Sequence, residues 1–135
     1  MINPKFYPFY IALGLSVAFF IVYILLGNQG LILSLEPNES IGDISRWCER
    51  VSGGIFREPS NALSNIGFMI LGLLMFWFLG KDIKSSNSNQ FTGINSISIL
   101  YAGAALFLGP GSLLMHGTHT EWGEWADNLS MIMYI

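Results

Sequence analysis

Ser112, His116 and Asp127 carry the chain's clearest chemical potential: a hydroxyl and an imidazole four positions apart close an uncharged apolar run, and a carboxylate follows eleven positions later. Such groups cost free energy in lipid, so at membrane depth they mark a functional site by default. The i, i+4 spacing places Ser112 and His116 on one helical face. His116 has the chemistry of a zinc ligand, since a catalytic zinc takes three protein ligands and keeps a position for water. Asp127 would hold or deprotonate that water, and Ser112 would donate to the oxyanion formed when the water attacks a carbonyl. One histidine and one carboxylate do not complete such a site.

The same residues also admit a structural reading. His116 is then an interfacial histidine bonded to backbone, Ser112 a packing residue beside glycine, and Asp127 an anion favoured by the dipole at a helix start. His119 lies three residues after His116 and would share its ligand set if the helix ran on through Gly117. The glycine and the polar run after it predict a solvated loop position instead.

A second constellation lies upstream. Glu58, Asn61 and Asn65 recur at spacings of three and four, so one helical face carries a carboxylate and two amides. Asn61 and Asn65 are expected to bond between helices. Glu49, in Trp47-Cys48-Glu49-Arg50, adds a carboxylate on the same side, and hard cations such as calcium take carboxylate oxygens. In the alternative, Glu49 or Glu58 pairs with Arg46, Arg50 or Arg57 in surface contacts of little energetic value.

The elements that must hold these groups are membrane helices. Hydrophobic residues make up 52% of the 135 and charged residues 11%, against about a quarter charged in an ordinary soluble domain. Apolar blocks in so short a chain have no aqueous core large enough to receive them. With a net charge of −3 and six basic residues scattered in loops, no phosphate-binding stripe exists, which argues against a nucleic-acid partner. Cys48 stands alone and cannot form an intrachain disulfide.

Phe6 to Leu26 is uncharged and long enough to cross a hydrocarbon core of roughly 30 Å as a helix. Gly27-Asn28-Gln29-Gly30 makes a poor signal-peptide cleavage site, so the segment reads as a retained anchor. Pro59 to Gly80 is the second span, opened by proline at the first helical position. Lys81 to Asn89 is a polar loop. The third span, Ile94 to His116, carries Gly103, Ala104, Ala105, Gly109 and Gly111, which admit close helix approach. Gly117 is expected to stop it, Trp122 and Trp125 suit the membrane interface, and a fourth helix starts near Trp125 and is cut short at Ile135.

Counting basic residues gives a tie between the two faces. The long acidic segment from Gly27 to Glu58 places the N-terminus in the cytoplasm and the active-site face outside it. Glu49, Glu58, His116 and Asp127 then share one membrane face.

Together, Trp47-Cys48-Glu49, Glu58-Pro59-Ser60-Asn61-Ala62-Leu63-Ser64-Asn65, and Gly111-Ser112 followed by His116 and Asp127 resemble the alkaline ceramidase family. That family belongs to a superfamily of seven-helix membrane hydrolases that includes the progestin and adipoQ receptors. The resemblance runs from about Ser45 to the chain's end and leaves out the first helix, which reads as an added anchor. It implies a zinc-dependent amidase that cleaves a ceramide-like lipid to a fatty acid and a long-chain base. His116 would be one zinc ligand, Asp127 the residue assisting the zinc water, and Ser112 the oxyanion donor. The family's other two ligands lie in a His-x-x-x-His pair on its last helix, which residues 1–135 do not contain. Trp47, Glu49 and Glu58 match part of a calcium site in eukaryotic members. Arg46 and Val51 depart from it, which implies that calcium matters less here.

The sequence therefore predicts an all-α, polytopic transmembrane bundle, truncated after the start of its fourth helix. Residues 1–30 form the anchor, 31–58 a non-cytoplasmic connection and 59–135 a partial ceramidase-like bundle. The leading function is zinc-dependent hydrolysis of a membrane lipid amide. A receptor or lipid-binding member of the superfamily without substantial turnover, and an interaction protein needing no metal, are the alternatives.

Overall fold

Uncharged runs that have no water to satisfy their backbone must close their own hydrogen bonds, and in a single segment only the helix does so. The computed structural model describes residues 3–38, 49–82 and 92–135, and among these it is all-α without strands. Trp47 and Arg46, with most of the polar loop after Lys81, lie outside the described residues. The helices are α1 (Tyr7–Asn28), α2 (Pro59–Ser64), α3 (Ile66–Lys81), α4 (Ser96–Thr118) and α5 (Glu121–Tyr134). A short 3-10 turn, Pro4–Phe6, precedes α1.

Among the described residues three spans are long and apolar enough to cross a membrane: Pro4–Asn28, Pro59–Lys81 and Ser96–Thr118. The second consists of α2 and α3, joined with a break at Asn65. Asn65 causes that break locally. Its Nδ2 donates to the Asn61 carbonyl at 2.8 Å, the acceptor that its own backbone N–H would use in an uninterrupted helix. The next turn tightens, with Phe68 N–H on the Asn65 carbonyl at 3.1 Å.

The start of α2 is fully accounted for. Pro59 has no N–H to satisfy, Ser60 and Asn61 N–H donate to the two oxygens of Glu49 at 2.7 Å each, and Ala62 N–H donates to the Glu58 carbonyl at 2.8 Å. At the start of α4, Asn95 and Ser98 cap each other reciprocally.

Helix α4 is the most buried of the three spans and packs against both α3 and α5. Its small residues explain how. A Cβ on Gly109 would fall 2.2 Å from the Met69 side chain on α3, and one on Gly111 would fall 2.6 Å from Ser130 on α5. Gly103, by contrast, faces open space. Helix α1 and the turn before it join α3 through an aromatic seam, with Phe6 and Phe9 4.9 and 5.2 Å from the Trp77 ring, and Ala12 shares an apolar cluster with Phe76 on α3 and Ala102 on α4. Near its C-terminal end, Tyr23 joins Ile32, Ala62 and Leu113 in a second apolar cluster. The outward face of α1, including Ile11, Leu15, Ile21 and Leu25, is exposed, as a lipid-facing surface requires.

The end of α4 differs from the sequence expectation. The helix runs through Gly117 to Thr118 and is closed by His119, whose φ of 55° is left-handed. Gly117 answers to tertiary packing, because a Cβ there would fall 2.2 Å from the Tyr23 hydroxyl. Helix α5 likewise begins earlier than expected, at Glu121, with Thr120 Oγ1 accepting from Gly123 N–H at 3.2 Å. Glu121 and Glu124 are therefore the first-turn anions, and Asp127 stands in the second turn.

Candidate functional site

The C-terminal end of α4 meets the start of α2 on one face of the bundle. Backbone bonds set the register: Arg57 N–H donates to the Gly117 carbonyl at 3.1 Å, and Glu58 N–H to the His116 carbonyl at 3.0 Å. These two contacts bring the Glu58 side chain beneath the His116 ring, across 58 residues of sequence. His116 Nδ1 lies 2.6 Å from Glu58 Oε2, and Asn61 Nδ2 donates to the same oxygen at 2.9 Å. Glu58 is 0% exposed and His116 9% exposed. An ionised carboxylate accepts and does not donate, so an imidazole bonded to it in this geometry carries a proton on Nδ1 and, when neutral, offers Nε2 as its acceptor nitrogen.

His119 completes the cluster from the other side. It is 2% exposed, and its Nε2 lies 2.8 Å from Glu58 Oε1. The distance is that of an ion-pair contact, while the angles miss those of an aligned hydrogen bond. Burial holds the His119 imidazole below its ordinary pKa, outweighing the upward pull of the Glu58 carboxylate. The solvated position expected for His119 is thus a buried one. The spacing of three from His116 was the available signal, and it was obscured by reading Gly117 as a stop.

Glu49 and Arg57 have other employment than pairing with each other. Desolvation raises the Glu49 carboxyl, but the Ser60 and Asn61 N–H groups outweigh it and leave the pKa below its ordinary value. Arg57 donates to the Leu35 carbonyl at 2.5 Å and the Leu33 carbonyl at 3.5 Å, strapping residues 33–35 over the site. Desolvation lowers its pKa. Asn38 extends the strap: its N–H donates to the His119 carbonyl at 2.7 Å and its Nδ2 to Glu124 at 2.8 Å.

Asn61 and Asn65 turn inward on their own segment, one to Glu58 and the other to the Asn61 carbonyl, so the expected bonds between helices are made by Glu58 instead. Ser112 and Asp127 flank the close α4–α5 contact, adjacent in sequence to Gly111 and Ala126 respectively, and both are half-buried. Among the described residues no hydrogen bond or ion pair joins either side chain to His116.

Zinc fits these residues only in part. Glu58 stands between the two imidazoles, one on each oxygen, and among the described residues no group of three or more His, Cys, Asp or Glu side chains is arranged to hold a metal ion. His116 can offer one nitrogen while Glu58 orients the ring from behind, a common outer-shell arrangement for metal-binding histidines. At least two further ligands would be required. For calcium, both Glu49 oxygens are already engaged by backbone N–H groups, and Glu58 is engaged by histidines.

No family model matches the sequence, and no curated protein or solved structure was found to match it.

Proposed function

We propose that this chain carries part of the active site of a membrane-embedded lipid-amide hydrolase built around His116, with a ceramide-like lipid as substrate. The observation that carries the reading is the 2.6 Å contact between His116 Nδ1 and the fully buried Glu58 carboxylate. Burying a carboxylate is costly unless it is paired, and here the pairing also fixes the orientation of an imidazole at the end of a membrane span. In this reading His116 is one ligand of a zinc ion that, when bound, supplies an acidified water and a Lewis acid. Since the described residues do not complete a zinc site, the roles that follow are those of side chains alone. Asp127 takes the proton of the attacking water and returns it to the departing amine as the C–N bond breaks, and Ser112 donates to the carbonyl oxygen as negative charge builds on it. In this reading Ser112 and His116, at the end of the apolar span Ser96–Thr118, would meet a lipid amide near the membrane surface, with Asp127 supplied by the following helix α5.

The same cluster also favours a second reading, in which Glu58, His116 and His119 are polar glue between helices and no turnover occurs. Release of fatty acid from a ceramide with a labelled acyl chain, by purified protein in mixed micelles, separates the two. Turnover abolished by His116→Ala, together with zinc content that falls in the same variant, supports the hydrolase. A folded wild-type protein that contains zinc but releases no fatty acid points to a receptor or binding protein. Equal zinc in wild type and variant removes His116 as a ligand.

A further inference from the structure

His119 occupies a backbone conformation that a side-chain-bearing residue adopts at a cost. At φ 55° it sits in the left-handed region, where glycine is usual at a helix end and other residues are disfavoured by about 1–2 kcal/mol. The position is held from both sides, its N–H on the Met115 carbonyl at 2.9 Å and its carbonyl accepting from Asn38 N–H at 2.7 Å. That conformation directs the imidazole inward, where it is buried against Glu58 Oε1. The two carboxylate oxygens thus have different partners: Oε2 serves His116 and Asn61, and Oε1 meets His119. The terminal torsion of glutamate is broad and roughly two-fold, so one bonded edge alone leaves the carboxylate considerable freedom to turn. Contacts on both edges restrict it.

We infer that His119 is a positioning residue: by holding Oε1 of Glu58 it keeps Oε2 aimed at His116 Nδ1, and so fixes the tautomer through which His116 presents Nε2. The inference rests on His116 being the working residue of the proposed hydrolase, but its physical content, a single tautomer at His116, is measurable without turnover. Groups bonded directly to a metal-binding histidine, as Glu58 is to His116, are worth about 10–100-fold in affinity or activity in metal sites, and His119 acts one contact further out, through Glu58.

The chain has only two histidines, which makes the test direct. Untagged protein labelled with 15N-histidine in micelles gives two imidazole patterns, and His119→Leu leaves that of His116 alone. The wild type is expected to show His116 as the single Nδ1–H tautomer. In folded H119L its ring nitrogens should move toward the averaged positions of two exchanging tautomers. An unchanged single tautomer in folded H119L overturns the inference, as does a wild-type His116 already averaged. Should H119L not fold, as judged by circular dichroism, His119→Gln decides. Its amide keeps an N–H donor, so a retained wild-type His116 pattern supports the role and an averaged one overturns it. Fatty-acid release is measured on the same samples. No turnover in the wild type with the tautomer response intact removes the proposed function and leaves the positioning role standing, whereas turnover with an unresponsive tautomer does the reverse.

Discussion

Tyr23 on α1 occupies the space that a side chain at Gly117 on α4 would need. A Cβ there would fall 2.2 Å from the tyrosine hydroxyl and 3.0 Å from its Cζ. The ring has little room to move, being 3% exposed, stacked on Phe56 at 5.0 Å and bonded through its hydroxyl to the Ile55 carbonyl at 3.2 Å. The contact brings α1 to the site's edge, since Gly117 follows His116 directly.

Gly117→Ala should therefore destabilise the fold by about 1–3 kcal/mol, the usual penalty for overpacking. Tyr23→Phe removes the closest atom, so the double variant should lose less than the two single losses combined. Thermal unfolding in detergent measures all three. Strict additivity would mean that the two residues do not meet.

Glu58 should tolerate replacement poorly. Glu58→Ala strands two buried imidazoles and the Asn61 amide, and breaking a buried pair in this way costs about 3–5 kcal/mol. Glu58→Gln keeps the shape and one acceptor and should cost less. A melting temperature that is equal in wild type and E58A would contradict the buried cluster.

Glu49 makes a pH-dependent contribution. Its folded pKa lies below the ordinary 4.5, so the stability it supplies is present above that value and is lost as pH falls through the lower folded value. Glu49→Gln should flatten this part of the acid limb of the stability curve and leave the neutral region less stable. Calcium should change neither curve, because both Glu49 oxygens already accept from Ser60 and Asn61. A calcium-dependent rise in melting temperature that vanishes in Glu49→Gln would restore Glu49 as a ligand.

Asp127 and Ser112 test the proposed chemistry. Asp127→Asn and Ser112→Ala should each lower lipid-amide turnover by about 10²-fold or more. Melting temperature and zinc content should barely move, since among the described residues neither side chain holds the α2–α4 cluster together. Loss of the fold in either variant would make that residue structural instead.

What the sequence determined by itself is local. The apolar spans and the proline start at Pro59 follow from composition over one segment at a time, because a backbone in lipid must satisfy itself within that segment. His116 was conspicuous because an imidazole at the end of an apolar run is costly wherever it points. Only the tertiary structure decided which of several acidic and basic residues Glu58 would meet. Arg57 is its neighbour in sequence, yet the guanidinium turns to the Leu33 and Leu35 carbonyls, and the carboxylate goes to His116 on α4 and to His119, which closes that helix. The meaning of Gly117 was decided in the same way. A glycine near a helix end signals a stop when only the chain is read, but here it admits Tyr23, and α4 continues until His119 can turn toward Glu58. Close approach and burial depend on segments distant in sequence, and no local pattern encodes which of them will arrive.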